Sequence, residues 1–273
     1  MAQQGKGGGR GNFGRGFGGR GAARGGFGGG PGGFRGGELK LPPGWEECPP
    51  YGNPVEINKD DGKYFKVIPS KVPLSRSYDR LLKNAALNHY TINDAISSVE
   101  QQFQGRVSLV IDLTKSNRYY DFNREVAPLR TLAGNGGYYT EDTIIHCKIP
   151  CQGHNQSPDT FAVNHAAFEI QRMLSWRPDD YIIVHCTHGF NRTGYVIINT
   201  MVRLASTVGF SIARCLKRFA MARPPGIYKD AYIDDLFRYH HECRAAAQVL
   251  TPPVPSWKGL GDEDDEGEPE ARE

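Results

Sequence analysis

Five residues separate Cys186 from Arg192 in the string Val184-His185-Cys186-Thr187-His188-Gly189-Phe190-Asn191-Arg192-Thr193-Gly194. A thiol at the end of an apolar run, followed by a short polar turn and then a helical stretch, has the makings of a phosphate cradle. Backbone N–H groups of residues 187–192 can converge on three phosphoryl oxygens, and the N-terminus of the following helix adds positive potential. The same field favours the thiolate form of Cys186, which is the nucleophile. Arg192 offers a planar fork for bidentate contact with equatorial phosphoryl oxygens. Gly189 lets the backbone turn tightly, and Gly194 permits close helix packing. A cysteine after an apolar strand is ordinarily buried and inert. The complete string, with Arg, Thr and Gly in step, points instead to covalent phosphoryl transfer through Cys186. Thr187, His188, Gly189, Phe190 and Asn191 are then the substrate-binding stretch, with His185 orienting it or serving as an ordinary structural histidine.

The elements that must hold this loop can be read around it. Val107–Ile111 and Thr143–Lys148 read as buried strands, and Tyr181–Val184 as the strand that delivers Cys186. Phe161–Trp176 has helical periodicity, as do 193–205, Ser211–Ala222 and Lys229–Ala247. Strands alternating with helices predict an α/β domain with a largely parallel sheet.

Composition bounds the rest. The 273 residues carry a net charge of +3, which hides a polarised chain. Residues 1–37 are Gly-rich, with one Lys, five Arg and no acid. Such a segment buries too little apolar surface to offset its ordering entropy and is expected to be disordered. Its Arg10, Arg15, Arg20, Arg24 and Arg35 can contact phosphates, and Phe13, Phe17, Phe27 and Phe34 can stack on bases. Residues 251–273 begin with a Pro-rich linker and end in eight acids and one Arg. One domain, 38–250, lies between the tails. No apolar run approaches a membrane span, and the six cysteines lack a paired framework, so reduced thiols are expected. No cluster has metal-ligand spacing, and neither a cofactor nor a metal is expected. Lys59-Asp60-Asp61-Gly62 spells the KxDG of nucleotidyl transfer, but the residues after it are taken up by the α/β domain, so it reads as a surface turn.

The string HCTHGFNRTG resembles the RNA 5′-triphosphatase domain of metazoan and plant mRNA-capping enzymes, within the cysteine-dependent protein tyrosine and dual-specificity phosphatases. Leu41-Pro42-Pro43-Gly44-Trp45, Ile68-Pro69-Ser70-Lys71-Val72-Pro73-Leu74, Asp112-Leu113-Thr114 with Arg118-Tyr119-Tyr120, and Ala222-Arg223-Pro224-Pro225-Gly226-Ile227-Tyr228-Lys229 carry the likeness further, from about 41 to 242. The resemblance implies the cysteine-phosphatase fold, a mostly parallel sheet flanked by helices, and removal of the γ-phosphate from 5′-triphosphate RNA. It implies Cys186 as nucleophile, Arg192 as phosphoryl clamp, and a Thr193 hydroxyl bonded to the sulfur. Asp112 matches the family's post-strand carboxylate, and Asp159, after Pro158, lies where a protein phosphatase keeps its loop acid; either stands as the general acid. Arg118, Tyr119, Lys148 and Lys229 become candidate contacts to the triphosphate chain. A nuclear setting follows, with a separate guanylyltransferase or the transcription machinery as partners and no membrane. A dual-specificity protein phosphatase with the same cradle, and an RNA-binding or recruitment module without turnover, are the alternatives.

Overall fold

A computed structural model describes residues 39–55, 66–153, 156–204 and 211–258. The expectations placed on the Gly/Arg-rich segment, on Lys59–Gly62 and on the acidic run therefore lie outside the described residues. Four strands build one sheet: β1 (Val67–Ser70), β2 (Val107–Asp112), β3 (Ile145–Lys148) and β4 (Tyr181–His185). Their order is β1-β4-β2-β3, and every pair is parallel. Five longer helices accompany them: α1 (Ile92–Phe103), α2 (Thr160–Trp176), α3 (Asn191–Leu204), α4 (Ile212–Ala222) and α5 (Asp230–Tyr239).

A parallel sheet needs both faces covered, and the alternation of its strands supplies two cores. Val67, Leu109, Ile111, Ile182 and Val184 share one core with residues of α2 to α5. Ile68, Val110 and Ile183, one step out of phase, point into a second core with Ile92, Ile96 and Val99 of α1. Helix α3 lies deep in the first core: Val196, Ile197, Ile198 and Met201 have no exposed surface, each worth roughly 1.5–3 kcal/mol on burial. Local signals fix the helix ends. Thr91 and Asp94 make a reciprocal capping box at α1, and the Ser211 hydroxyl accepts the Arg214 N–H at the start of α4, each cap being worth about 1 kcal/mol.

The sequence reading needs correcting in two places. The helix expected over 229–247 stops at Tyr239, and a separate turn forms at Arg244–Ala247. Between them His241 takes a positive φ of 57°, which lets Glu242 turn back to accept the Ile212 N–H of α4. The sequence pattern reveals neither strand β1 nor helix α1. β1 is only four residues long and contains Pro69, which cannot donate to a ladder.

The register has a functional consequence. Ser70 of β1 and Asp112 of β2 both pair with His185 of β4, and Asp112 pairs with Lys148 of β3. The polar last residues of all four strands thus form one row at the carboxyl edge of the sheet. Cys186 is the next residue along, at the edge where open α/β sheets place their sites.

Candidate active site

The chain leaves β4 at His185, turns through Cys186–Phe190 and enters α3 at Asn191. The Cys186 side chain is 4% exposed, and its Sγ accepts the Gly189 N–H at 3.3 Å. Gly189 has φ +78°, and a Cβ there would lie 2.2 Å from the Ser70 carbonyl oxygen. Only glycine satisfies both demands, so the tight turn and the close approach to β1 have one cause. Gly194, one turn into α3, meets the Phe219 ring so closely that a Cβ would sit 2.5 Å from it. Arg192 is buried against the same loop. Its guanidinium donates to the Thr187 hydroxyl at 2.7 Å and reaches the Leu113 and Cys151 carbonyls at 3.4 Å. The fork is held by the ends of β2 and β3 and by the loop it serves.

Two polar clusters flank this loop. The first follows the strand row. Lys148 Nζ donates to Asp112 at 2.9 Å, to the Thr114 hydroxyl at 2.7 Å and to the Ser116 carbonyl at 2.8 Å. Thr114 also donates to Asp112, through its hydroxyl at 2.6 Å and its backbone N–H at 2.8 Å. Tyr120 lies 2.7 Å from His185 Nε2 and 3.3 Å from His146 Nε2. Burial alone would raise the Asp112 carboxyl, but His185, Lys148 and the Thr114 bond outweigh it and hold it below the usual range. Burial pushes His185 down to about 4 against the pull of Asp112. His185 is therefore neutral at neutral pH, and Lys148 supplies the charge that keeps Asp112 ionised there.

The second cluster has no carboxylate at its centre. Lys71 is buried and donates to the carbonyls of Trp45 at 2.8 Å and Cys48 at 2.9 Å, with Nζ 3.7 Å from the Trp45 ring centroid. Burial brings its ammonium down to about 8. Arg223, 2% exposed, donates to the Pro49 carbonyl at 2.7 Å and the His188 carbonyl at 2.9 Å, and its guanidinium lies over the Phe190 ring at 4.4 Å. The loop is thereby gripped by its own carbonyls and rings. The His188 ring meets the Pro43 carbonyl at 2.8 Å, and Trp257 packs 5.2 Å from His188 and 5.5 Å from Phe190, centroid to centroid. Trp257, in the stretch expected to be a linker, is thus placed against the catalytic loop.

The candidate residues sort accordingly. His185, Cys186, Thr187, Gly189, Arg192 and Asp112 come together at the sheet edge. Asn191 is a brace: its Oδ1 accepts the N–H groups of Tyr228 and Lys229 at 3.0 and 3.1 Å. His188 and Phe190 are turned towards the second cluster and Trp257. The Thr193 hydroxyl is buried without a hydrogen-bond partner, so the expected bond to the Cys186 sulfur is not made here. Tyr119, expected to touch substrate, is 1% exposed in the second core beside Tyr78. Arg118 is half-buried and lies against Tyr119, its guanidinium 5.0 Å from the ring centroid and donating to the Tyr119 hydroxyl at 3.2 Å. Lys148 is engaged by Asp112, Thr114 and Ser116. Lys229 lies with its Nζ 5.8 Å from the Tyr232 ring. Asp159 is exposed and caps α2, accepting the Ala162 N–H at 2.8 Å. Sequence reasoning missed the roles of Lys71, Cys48, Arg223, Tyr120 and Trp257. All except Cys48 and Trp257 sit inside the motif segments, but their partners are distant in sequence.

All six cysteines are free. Burial raises Cys48 and Cys147 to about 11 and Cys151 and Cys215 to about 12, which keeps those four thiols protonated and unreactive. Among the described residues, no group of three or more His, Cys, Asp or Glu could hold a metal ion, and no helix is long and apolar enough to cross a membrane.

No protein-family model matches the chain. The mRNA-capping enzyme of Mus musculus is 33% identical over 219 residues, 80% of this chain and 32% of that protein. The mRNA-capping enzyme of Caenorhabditis elegans is 30% identical over 237 residues, 85% of this chain and 33% of that protein. The human RNA/RNP complex-1-interacting phosphatase is 28% identical over 198 residues, 72% of this chain and 51% of that protein. This chain spans about a third of the length of the capping enzymes it matches. Among solved structures, kinase associated phosphatase is 14% identical, with a TM-score of 0.42 over 67% of this chain and 88% of that one; this likeness is too loose to carry an argument.

Proposed function

Because this chain belongs to the cysteine-class phosphatases and shares 80% of its length with part of the mRNA-capping enzymes, we propose that it removes the γ-phosphate from 5′-triphosphate RNA. The Cys186 thiolate attacks the γ-phosphorus. An S–P bond forms, the P–O bond to the β-phosphate breaks, and RNA 5′-diphosphate leaves with the bonding electron pair. Water then attacks the phosphocysteine, releasing inorganic phosphate and restoring the thiolate. Arg192 and the loop N–H groups stabilise the three equatorial oxygens throughout. Arg118 and Lys229 are the groups on hand for the rest of the triphosphate chain.

The observation that carries this reading is the placing of the two carboxylates. Asp112 is held ionised by Lys148 and Thr114, which suits it to orient the loop and not to donate a proton. Asp159 has one oxygen committed to capping α2. A phosphotyrosine or phosphoserine ester needs a proton for its leaving oxygen; a diphosphate is far less basic and leaves well without one. A site whose carboxylates are so placed is matched to the anhydride. The product, a 5′-diphosphate end, fits a nuclear setting in which a separate guanylyltransferase or the transcription machinery receives it.

The test compares phosphate release from triphosphate-ended RNA and from a phosphotyrosine peptide, both in EDTA. Preference for RNA is expected. Asp159→Asn keeps the cap and should slow RNA hydrolysis less than tenfold. A thousandfold loss with the fold intact, or a selective loss of peptide phosphatase activity, would transfer the assignment to a protein phosphatase.

A further inference from the structure

The stretch 249–258 reads as a linker in sequence, yet it is fastened at two points. At its root, Arg244 donates to the Asp234 carboxylate at 2.6 Å and to Asp230 at 2.8 Å. The same guanidinium holds the Val249 carbonyl at 3.1 Å and the Thr251 hydroxyl at 2.7 Å, and Val249 packs on the first core. The span that follows contains Pro252, Pro253 and Pro255, whose fixed φ makes it stiff. At its far end the chain turns, the Lys258 N–H donating to the Pro255 carbonyl at 3.0 Å, and Trp257 is wedged between two segments. On one side is Gly44, with φ +68°; a Cβ there would lie 2.4 Å from the Trp257 carbonyl oxygen and 3.0 Å from its ring. Glycine alone admits so close an approach. On the other side are the rings of His188 and Phe190, 5.2 and 5.5 Å away between centroids. Those two residues flank Gly189, whose N–H faces the Cys186 sulfur at 3.3 Å. Gly189 has no side chain with which to fix its own φ of +78°, so its neighbours must fix it. Trp257 bears on both of them. Loop donors act on a transferring phosphoryl group only if they are aimed before it arrives.

We propose that residues 249–258 form a strap and that Trp257 is a positioning residue of the phosphoryl site, acting on the Gly189 N–H through His188 and Phe190. The proposal rests on the reading of Cys186 as phosphoryl acceptor, and it holds whichever phosphoryl donor the site takes. Its consequence is that a contact at the root of the strap, outside the loop, affects how well the cradle binds phosphate.

The test uses the full-length protein and inorganic phosphate, which occupies the cradle without turnover. Trp257→Ala should weaken phosphate binding about tenfold and lower kcat on triphosphate-ended RNA by a similar factor, as misplaced groups do. Trp257→Phe keeps a ring against His188 and Phe190 and should restore most of both. Arg244→Ala frees the root, where every bond it makes lies outside the loop, and should weaken phosphate binding about threefold. With 5-fluorotryptophan at the three tryptophans, phosphate should shift the 19F resonance that Trp257→Phe removes. The phosphate readouts need neither RNA nor turnover, so they still decide the strap if the wild type fails to hydrolyse triphosphate RNA. The 19F shift and the Trp257→Phe variant still decide it if Trp257→Ala fails to fold. Unchanged phosphate affinity in Trp257→Ala, or a Trp257 resonance that saturating phosphate leaves in place, would overturn the proposal. So would a loss in Trp257→Phe as deep as in Trp257→Ala, which would make the indole a direct substrate contact.

Discussion

The two clusters that grip the cysteine loop do the same job with opposite electrostatics. On the strand-row side, Lys148 meets a carboxylate, Asp112, and the pair is completed by Thr114 and the Ser116 carbonyl. On the other side, Lys71 and Arg223 meet carbonyls, a thiol and aromatic faces. The first is a neutralised network; the second leaves two buried cations beside a loop meant to receive a polyanion. A charge that compensates another buried charge is costly to remove. A charge held by neutral dipoles carries its own desolvation cost, which is relieved when it goes. The first cluster therefore governs stability, and the second governs loop position and anion affinity.

That contrast can be broken at its strongest point first. Lys148→Met leaves Asp112 buried and unpaired and should cost about 3 kcal/mol in urea denaturation at pH 7. A cost under 1 kcal/mol would mean that the pair is solvated.

The next effect is in pH. His185 is lowered in the fold to about 4, against about 6.5 unfolded. Between these values the unfolded chain binds the extra proton, so stability falls as pH drops from 6.5 to 4 and His185 takes no further part below that. At about 1.4 kcal/mol per pH unit the loss is about 3 kcal/mol at most. Asp112, whose depressed carboxyl stabilises above its unfolded value of about 3.9, adds its loss at still lower pH. His185→Asn should flatten the slope between pH 6.5 and 4.5; an unaltered slope would place the titration elsewhere.

The smallest effect belongs to the second cluster. Lys71→Met removes donors from two carbonyls but also removes a desolvated cation, for a net cost of about 1 kcal/mol at pH 7. Wild-type Lys71, at about 8 in the fold and about 10.4 unfolded, binds fewer protons folded than unfolded across that window. Wild-type stability should therefore gain with pH from 8 to 10, and the gap to Lys71→Met should widen. A gap that narrows would reverse the assignment.

The same contrast explains what the sequence made legible. The catalytic loop is readable because consecutive backbone N–H groups must face one phosphate, which compresses Cys186, Gly189 and Arg192 into seven residues. The Asp112–Thr114 unit is local as well, so its motif is visible. The second cluster joins residues 48, 71, 188, 223 and 257 through main-chain acceptors and ring faces, which leave no side-chain spacing to read. Tyr119 and Tyr120 show the limit inside a motif: both are buried in the second core, and Tyr120, not Tyr119, reaches His185. The break after α5 was hidden because His241 takes a conformation usually marked by glycine, here held by the Glu242 contact to α4.

The central claim, covalent transfer from an RNA 5′ end to Cys186, is tested most directly by trapping. RNA bearing a 32P γ-phosphate is mixed with the protein in EDTA, quenched within one turnover and digested, and the labelled peptide is identified by mass. The account predicts label on the peptide containing Cys186, 5′-diphosphate RNA as product, and neither label nor product with Cys186→Ser. Phosphate release at full rate from Cys186→Ser, or turnover only with added magnesium or manganese, would contradict it.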